Sequence, residues 1–156
     1  MEFFHAVSTR HSIRVYQEAA VAQDQLDKIL QTANLAPSAG DLQAYAIVVV
    51  QEAATRAFLA TAAHGQGFLA TAPVIMVFCS DPQRSAARYA ARGEQLFSIQ
   101  DATIAASFAW LQAVASGLGA CWVGAFDDEA VKNIFRQKIG PDWRPIALLP
   151  VGYGAE

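Results

Sequence analysis

Residues 74–79 read VIMVFC (Val74–Cys79), with Thr71, Ala72 and Pro73 before them and Ser80, Asp81 and Pro82 after them. A short apolar run rich in β-branched residues and bounded by turn signals is a buried strand. A second such run, YAIVVV (Tyr45–Val50), lies upstream, and an alanine-rich helix is expected between the two, from about Ala53 to Ala63. Working outward, SDP caps and starts a helix through Asp81 and Pro82. That helix carries Arg84, Arg88 and Arg92 at i+4 spacing, which reads as a solvated face.

Before the strands, a short amphipathic piece covers Glu2 to Val7, and a helix begins at about Gln23 with Leu26, Ile29, Leu30 and Ala33 on one stripe. After them, a long helix from about Asp101 to Ser116 is expected to bury Ile104, Phe108, Leu111 and Ala115, and Gly117 to Gly119 should end it. ACWVGAF then reads as a strand entering a turn, DDEAVKNIFRQKI as a capped amphipathic helix, and PIALLPVGY as a final strand. Helices and strands alternate unevenly, so the expected class is α+β. No repeat or linker divides the chain, and residues 1–156 are expected to form one domain.

Composition narrows the functions. Eleven basic against fourteen acidic residues give a net charge of -3, which argues against a nucleic-acid binder that works by neutralising phosphates. From Ala102 to Phe126 no charge occurs, yet Gln112, Ser107, Ser116 and three glycines interrupt the run, and acids rather than basic anchors flank it. It reads as a buried helix and strand, with no membrane partner. Cys79 and Cys121 lie in apolar runs without ligand spacing, so no metal site is expected. The N-terminus has no basic region followed by a long apolar one, so the expected location is cytoplasmic.

GQGFLA (Gly65–Ala70) has the letters of a dinucleotide fingerprint, but it follows a helix pattern and lacks an acid about 20 residues on. No nucleophile elbow, P-loop or zinc helix occurs, so any chemistry would belong to a bound cofactor. The cationic cluster in STRHSIRVYQ (Ser8–Gln17) is the first candidate: Arg10, His11, Ser12 and Arg14 can surround a phosphate. Alone, such a pattern reads first as an exposed, ion-paired loop. APSAGDLQAY (Ala36–Tyr45) and GLGACWVGAF (Gly117–Phe126) add two glycine-bearing loops where the main chain could approach a flat ligand, or simply reverse direction.

The order RHSIR, APSAGDLQ, TAPVIMVF, GLGACWVGAF and LLPVGYGAE resembles the FMN-dependent nitroreductase family from one end of the chain to the other. That resemblance implies a mostly antiparallel sheet flanked by helices, and an intimate homodimer with FMN in clefts at the subunit interface. It assigns Arg10 and Ser12 to the FMN phosphate with His11 beside them, and Arg14 to the pyrimidine edge of the flavin. Pro37, Ser38 and Ala39 would reach the flavin from the partner subunit, supported by Gln43, while Val123, Gly124 and Ala125 would lie along the ring near N5. Gln66 would be the remaining cofactor contact where the family often carries an Asn-Gln pair. No side chain is assigned a catalytic role beyond the electrostatic support of Arg14.

The resemblance implies an oxidoreductase: hydride from NAD(P)H to FMN N5, then transfer to a small-molecule acceptor such as a quinone or nitroaromatic in a ping-pong cycle. Two alternatives stay open, a flavin-binding carrier, sensor or regulatory module without efficient turnover, and a specialised relative acting on a dedicated substrate. Phe68, Tyr89, Phe97 and Phe126 are candidates for an acceptor pocket, although each reads first as a core or interface aromatic. Asp41, Ala44 and Tyr45 stand where the family commonly has APSxxNxQPW. The sequence runs to Glu156, where many relatives continue into a tail bearing a Lys/Arg pair, so the opening stretch is expected to supply most of the positive charge that the cofactor meets.

Overall fold

Strand β2 (Val74–Ser80) contains VIMVFC, and every one of its residues is buried. The reason is cover on both faces. Val74, Met76 and Phe78 enter one core, while Ile75, Val77 and Cys79 enter the other, as strand alternation requires. The computed structural model, which describes residues 1–156, pairs β2 antiparallel with β1 (Tyr45–Val50) on one side and β4 (Arg144–Gly152) on the other. The short β3 (Gly119–Ala120) completes an antiparallel sheet in the order β1-β2-β4-β3.

Helices α2 (Gln23–Asn34) and α6 (Ser98–Ala115) cover the first face. Helices α3 (Ala53–Ala62), α4 (Phe68–Thr71) and α7 (Asp128–Ile134) contribute to the second. The expected α+β class and nearly all expected elements are present. Helix α1 (Phe3–Thr9) precedes this core, and α5 (Pro82–Arg92) begins as the sequence indicates, with the Asp81 carboxylate accepting from the Arg84 N–H at 3.2 Å. GQGFLA falls between α3 and α4 rather than after a strand, so it lacks the strand-turn-helix setting of a dinucleotide fingerprint.

The long helix corrects one expectation. Its buried stripe is Ala102, Ala105, Ala106, Ala109 and Ala113, whereas Ile104, Phe108, Leu111 and Ala115 are only partly buried. Alanine lets α6 lie close between α2 and the sheet, and the larger side chains turn to the flank. The helix also starts at Ser98, after a π turn over Gly93–Phe97. It ends as expected: Gly117 takes φ +80°, and Leu118 and Gly117 donate back to Ala113 and Val114. The strand expected over ACWVGAF is cut short, with only Gly119–Ala120 in the ladder and Val123 bridging Leu148. No helix is long and apolar enough to cross a membrane.

Candidate functional site

The opening basic stretch leaves α1 and runs beside β3. Ser12 bridges Ala120 in parallel, the Ile13 N–H donates to the Ala120 carbonyl at 3.0 Å, and Ile13 is buried. Gly119 makes this approach possible, because a Cβ there would stand 2.6 Å from Ile13 Cγ1. Farther on, the buried Tyr16 hydroxyl donates to the carbonyls of Ile13 at 2.7 Å and Pro150 at 3.3 Å. Burial raises its pKa well above the ordinary value, helped by Cys121 and Glu156 and opposed by Arg14, so it stays a neutral donor that pins the segment.

Side chains alternate along extended chain, so Ile13 turned inward leaves Ser12 and Arg14 turned outward. Their outward groups are free. The side chains of Arg10, Ser12 and Arg14 take no hydrogen bond, and the two ion pairs, Lys132–Glu129 and Arg144–Asp128, involve none of them. The Arg14 main-chain N–H donates to the Glu156 carboxylate, and His11 Nδ1 lies 2.9 Å from the Thr9 carbonyl. The Arg10 guanidinium lies over the Trp110 ring, its carbon 4.5 Å from the centroid. A hollow of about 180 Å³ is lined by Arg10, His11, Val114, Gly119 and Gly154 among others, but not by Ser12 or Arg14. That is room for a phosphate-sized anion rather than a whole cofactor.

The chain beyond β3 supplies the second part. Val123 exchanges both main-chain hydrogen bonds with Leu148, at 2.9 and 3.0 Å, and is buried. Gly124 and Ala125 are exposed, and their N–H groups donate to nothing in the chain. Gln66 ties this segment down, its amide donating to the carbonyls of Ala63 at 2.9 Å and Ala125 at 3.0 Å. Its side-chain NH₂ is thereby engaged with the protein.

The third part, residues 37–43, is built around the buried carboxylate of Asp101 at the start of α6. Asp101 accepts from the N–H groups of Ala39 at 3.0 Å and Ala44 at 3.4 Å. Ser38 Oγ accepts from the Gln43 N–H at 2.9 Å, and the Gln43 amide donates to Asp41 at 2.7 Å, so Gln43 closes the loop on itself. From α5, Arg88 donates to the Gly40 carbonyl at 3.3 Å, which gives one member of the expected solvated stripe a structural task. Pro37, Ser38 and Ala39 border an open hollow of about 480 Å³ with Phe97, Thr103 and Ile104.

The fold thus seats the opening stretch on Ala120 of β3, the strand that leads on to Val123, Gly124 and Ala125, while the 37–43 loop is held at the other end of α6. Asp101 and Trp110 mark the two positions on α6, about 14 Å apart by helical rise. A larger hollow of about 690 Å³ lies beside Arg56, but that guanidinium is occupied by the carbonyls of Gln51, Ala70 and Ala72. Among the candidate acceptor aromatics, Tyr89 and Phe97 pack edge to face at 5.1 Å, and Phe68 and Phe126 pack against the second core. Asp101 and Trp110 were not singled out from sequence. A lone acid at the foot of an uncharged helix was the available signal for Asp101, since a buried carboxylate demands donors; nothing local marks Trp110.

The sequence pattern of the nitroreductase family matches residues 7–68 and 57–153. A Methanothermobacter thermautotrophicus protein described as a putative NADH dehydrogenase/NAD(P)H nitroreductase is 32% identical over 100% of this chain and 79% of its own. The FMN reductase [NAD(P)H] of Bacillus subtilis is 28% identical over 99% of this chain and 67% of its own. Among solved structures, an FMN-dependent nitroreductase from Clostridium difficile superposes with a TM-score of 0.84 at 29% identity, covering 98% of this chain and 88% of that one. Matched in sequence and in fold along nearly its whole length, the chain belongs to the nitroreductase family.

Proposed function

We propose that this chain is a cytoplasmic, homodimeric FMN-dependent oxidoreductase that draws electrons from NAD(P)H and passes them to a small acceptor such as a quinone or nitroaromatic. The observation that carries the reading is the set of unpaired donors on Arg10, Ser12 and Arg14, in a stretch seated on Ala120 of β3, together with the free Gly124 and Ala125 amides farther along the same chain. The residues fit the cofactor: cations and a hydroxyl for a phosphate, and uncommitted main-chain N–H groups for a flavin ring nitrogen. Relatives described as an FMN reductase and an NAD(P)H nitroreductase support the same chemistry. The exposed apolar side chains of Phe3, Phe4 and Leu35, 73%, 73% and 75% accessible, support a second subunit.

FMN, if held by these residues, would supply the hydride-transfer chemistry that the protein's own side chains lack. The chain's residues bind and orient. Arg10 and Ser12 hold the phosphate, and His11 flanks them. Arg14 would offer a cation to the pyrimidine edge of the flavin and so would favour its reduced, more negative state. Gly124 and Ala125 offer N–H groups toward the ring, steadied by Gln66 and by the pairing of Val123 with Leu148. Pro37, Ser38 and Ala39, held rigid by Asp101 and Gln43, serve the site of the partner subunit. Protons come from solvent.

The test is direct. FMN added to purified protein should bind, and the yellow complex mixed anaerobically with NADH or NADPH should bleach on a catalytic timescale. A bound flavin that stays yellow would move the assignment to a flavin-binding module, and failure to bind FMN would end both readings. Arg10→Ala should weaken FMN binding, whereas Arg14→Ala should chiefly make the flavin harder to reduce. If neither property moved, the site would lie elsewhere.

A further inference from the structure

We infer that Trp110 is a positioning residue that fixes the plane of the Arg10 guanidinium for a phosphate monoester, an inference that rests on the flavin reading above. The Arg10 guanidinium carbon lies 4.5 Å from the centre of the Trp110 ring, well inside cation–π range. No carboxylate or carbonyl pairs with that guanidinium, and the indole face lies directly against it. A cation–π contact engages the charge without a hydrogen-bond acceptor, so the N–H donors of Arg10 remain uncommitted and available to an anion.

Two further observations agree. The indole Nε1 is buried and donates to nothing, so Trp110 carries an unmade hydrogen bond that phenylalanine or leucine would not. The ring therefore earns its place by its face, not by its N–H. Val114, one turn farther along α6, lines the same small hollow as Arg10 and His11. Gly117 and Leu118 also line it, which sets the hollow at the C-terminal end of α6. The helix dipole there disfavours an anion, a cost that the Arg10 cation would have to offset.

The experiment compares FMN with riboflavin, which has the same ring system and lacks the phosphate. Flavin dissociation constants are measured by fluorescence titration for the wild-type protein, Trp110→Leu and Trp110→Phe, with circular dichroism melts to confirm folding. The wild type should prefer FMN. Trp110→Leu should lose about two- to thirtyfold of that preference, with riboflavin affinity within about twofold of wild type, and Trp110→Phe should fall between.

Equal weakening toward both flavins would mean that Trp110 is only packing, and unchanged preference would mean that it does not act on Arg10; either overturns the inference. If Trp110→Leu does not fold, Trp110→Phe decides by the same ratio. A wild type that binds neither flavin removes the functional reading and the inference together, whereas a wild type that prefers FMN with variants that keep the preference removes the inference alone.

Discussion

The carboxylate of Asp101 and the main-chain N–H of Ala39, 3.0 Å apart, join the foot of α6 to the loop that precedes β1. The same carboxylate reaches Ala44 at 3.4 Å, and Asp101 is only 2% accessible. Between these anchors Gly40, Asp41 and Gln43 take φ of +61°, +55° and +44°, a conformation that two of the three residues adopt only under constraint. Asp101→Asn keeps one acceptor but turns an NH₂ toward the other N–H. The expected loss is about 1–3 kcal/mol in urea unfolding. Burial, then Asp101, raise the Tyr45 pKa, so the same variant should lower the Tyr45 midpoint in an ultraviolet titration. An unchanged midpoint would show that the carboxylate does not act on this tyrosine.

Gln66 bridges two segments rather than presenting a free amide to solvent, through its bonds to Ala63 and Ala125. Gln66→Leu removes both bonds and leaves the carbonyls at a partly exposed surface where water can serve them. Stability should fall by no more than about 1.5 kcal/mol. FMN affinity should fall several-fold, because Gly124 and Ala125 lose the tether that fixes their N–H groups. Thermal melts and FMN titrations separate the two effects, and unchanged FMN affinity would remove Gln66 from the site.

Much of this architecture was legible because local signals and tertiary demands agreed. The runs at Tyr45–Val50 and Val74–Ser80 are strands, Leu26, Ile29 and Ala33 are buried, and Asp81 caps its helix. The sequence points to the wrong face of α6 because two stripes share helical periodicity. The choice between them depends on the gap left by α2 and the sheet, which only alanine fits. A basic cluster is conspicuous in an acidic chain, which is why Arg10, Ser12 and Arg14 are candidates from sequence. Trp110 is not, since what distinguishes it is a contact with Arg10 across most of the chain. Asp101 likewise gains meaning only from N–H groups of residues far upstream.

Cys79 gives a pH dependence with a definite sign. Burial pushes its thiol from 9.0 up to about 12, with Lys132 opposing. Below pH 9 both folded and unfolded states hold the proton, and stability is unaffected. Between pH 9 and about 12 the unfolded chain releases it and the folded chain does not, so stability falls by about 1.4 kcal/mol per pH unit from this group. The raised Tyr16 hydroxyl acts in the same direction from about pH 10 upward. Urea midpoints should therefore decline from pH 9, and in Cys79→Ala the decline should begin later. A flat profile to pH 11 would contradict the burial of this thiol.

Gly119 and Ile13 form the contact on which the position of the basic stretch depends. A Cβ at Gly119 would lie 2.6 Å from Ile13 Cγ1, 2.9 Å from its Cβ and 3.0 Å from its Cγ2, all inside contact distance. Gly119→Ala should therefore push residues 12–14 off β3, at a cost of about 1–3 kcal/mol, and displace Ser12 and Arg14 with them. FMN binding should weaken even at temperatures where the variant is fully folded. Ile13→Ala alone should also destabilise the protein, through the lost burial of an isoleucine. Combined with Gly119→Ala, however, it removes two of the three clashing atoms, so the double variant should be more stable than the sum of the two losses predicts. Strict additivity in urea unfolding would mean that the stretch is held by contacts other than this one, and that the donors at Ser12 and Arg14 owe their placement to the Tyr16 anchor instead.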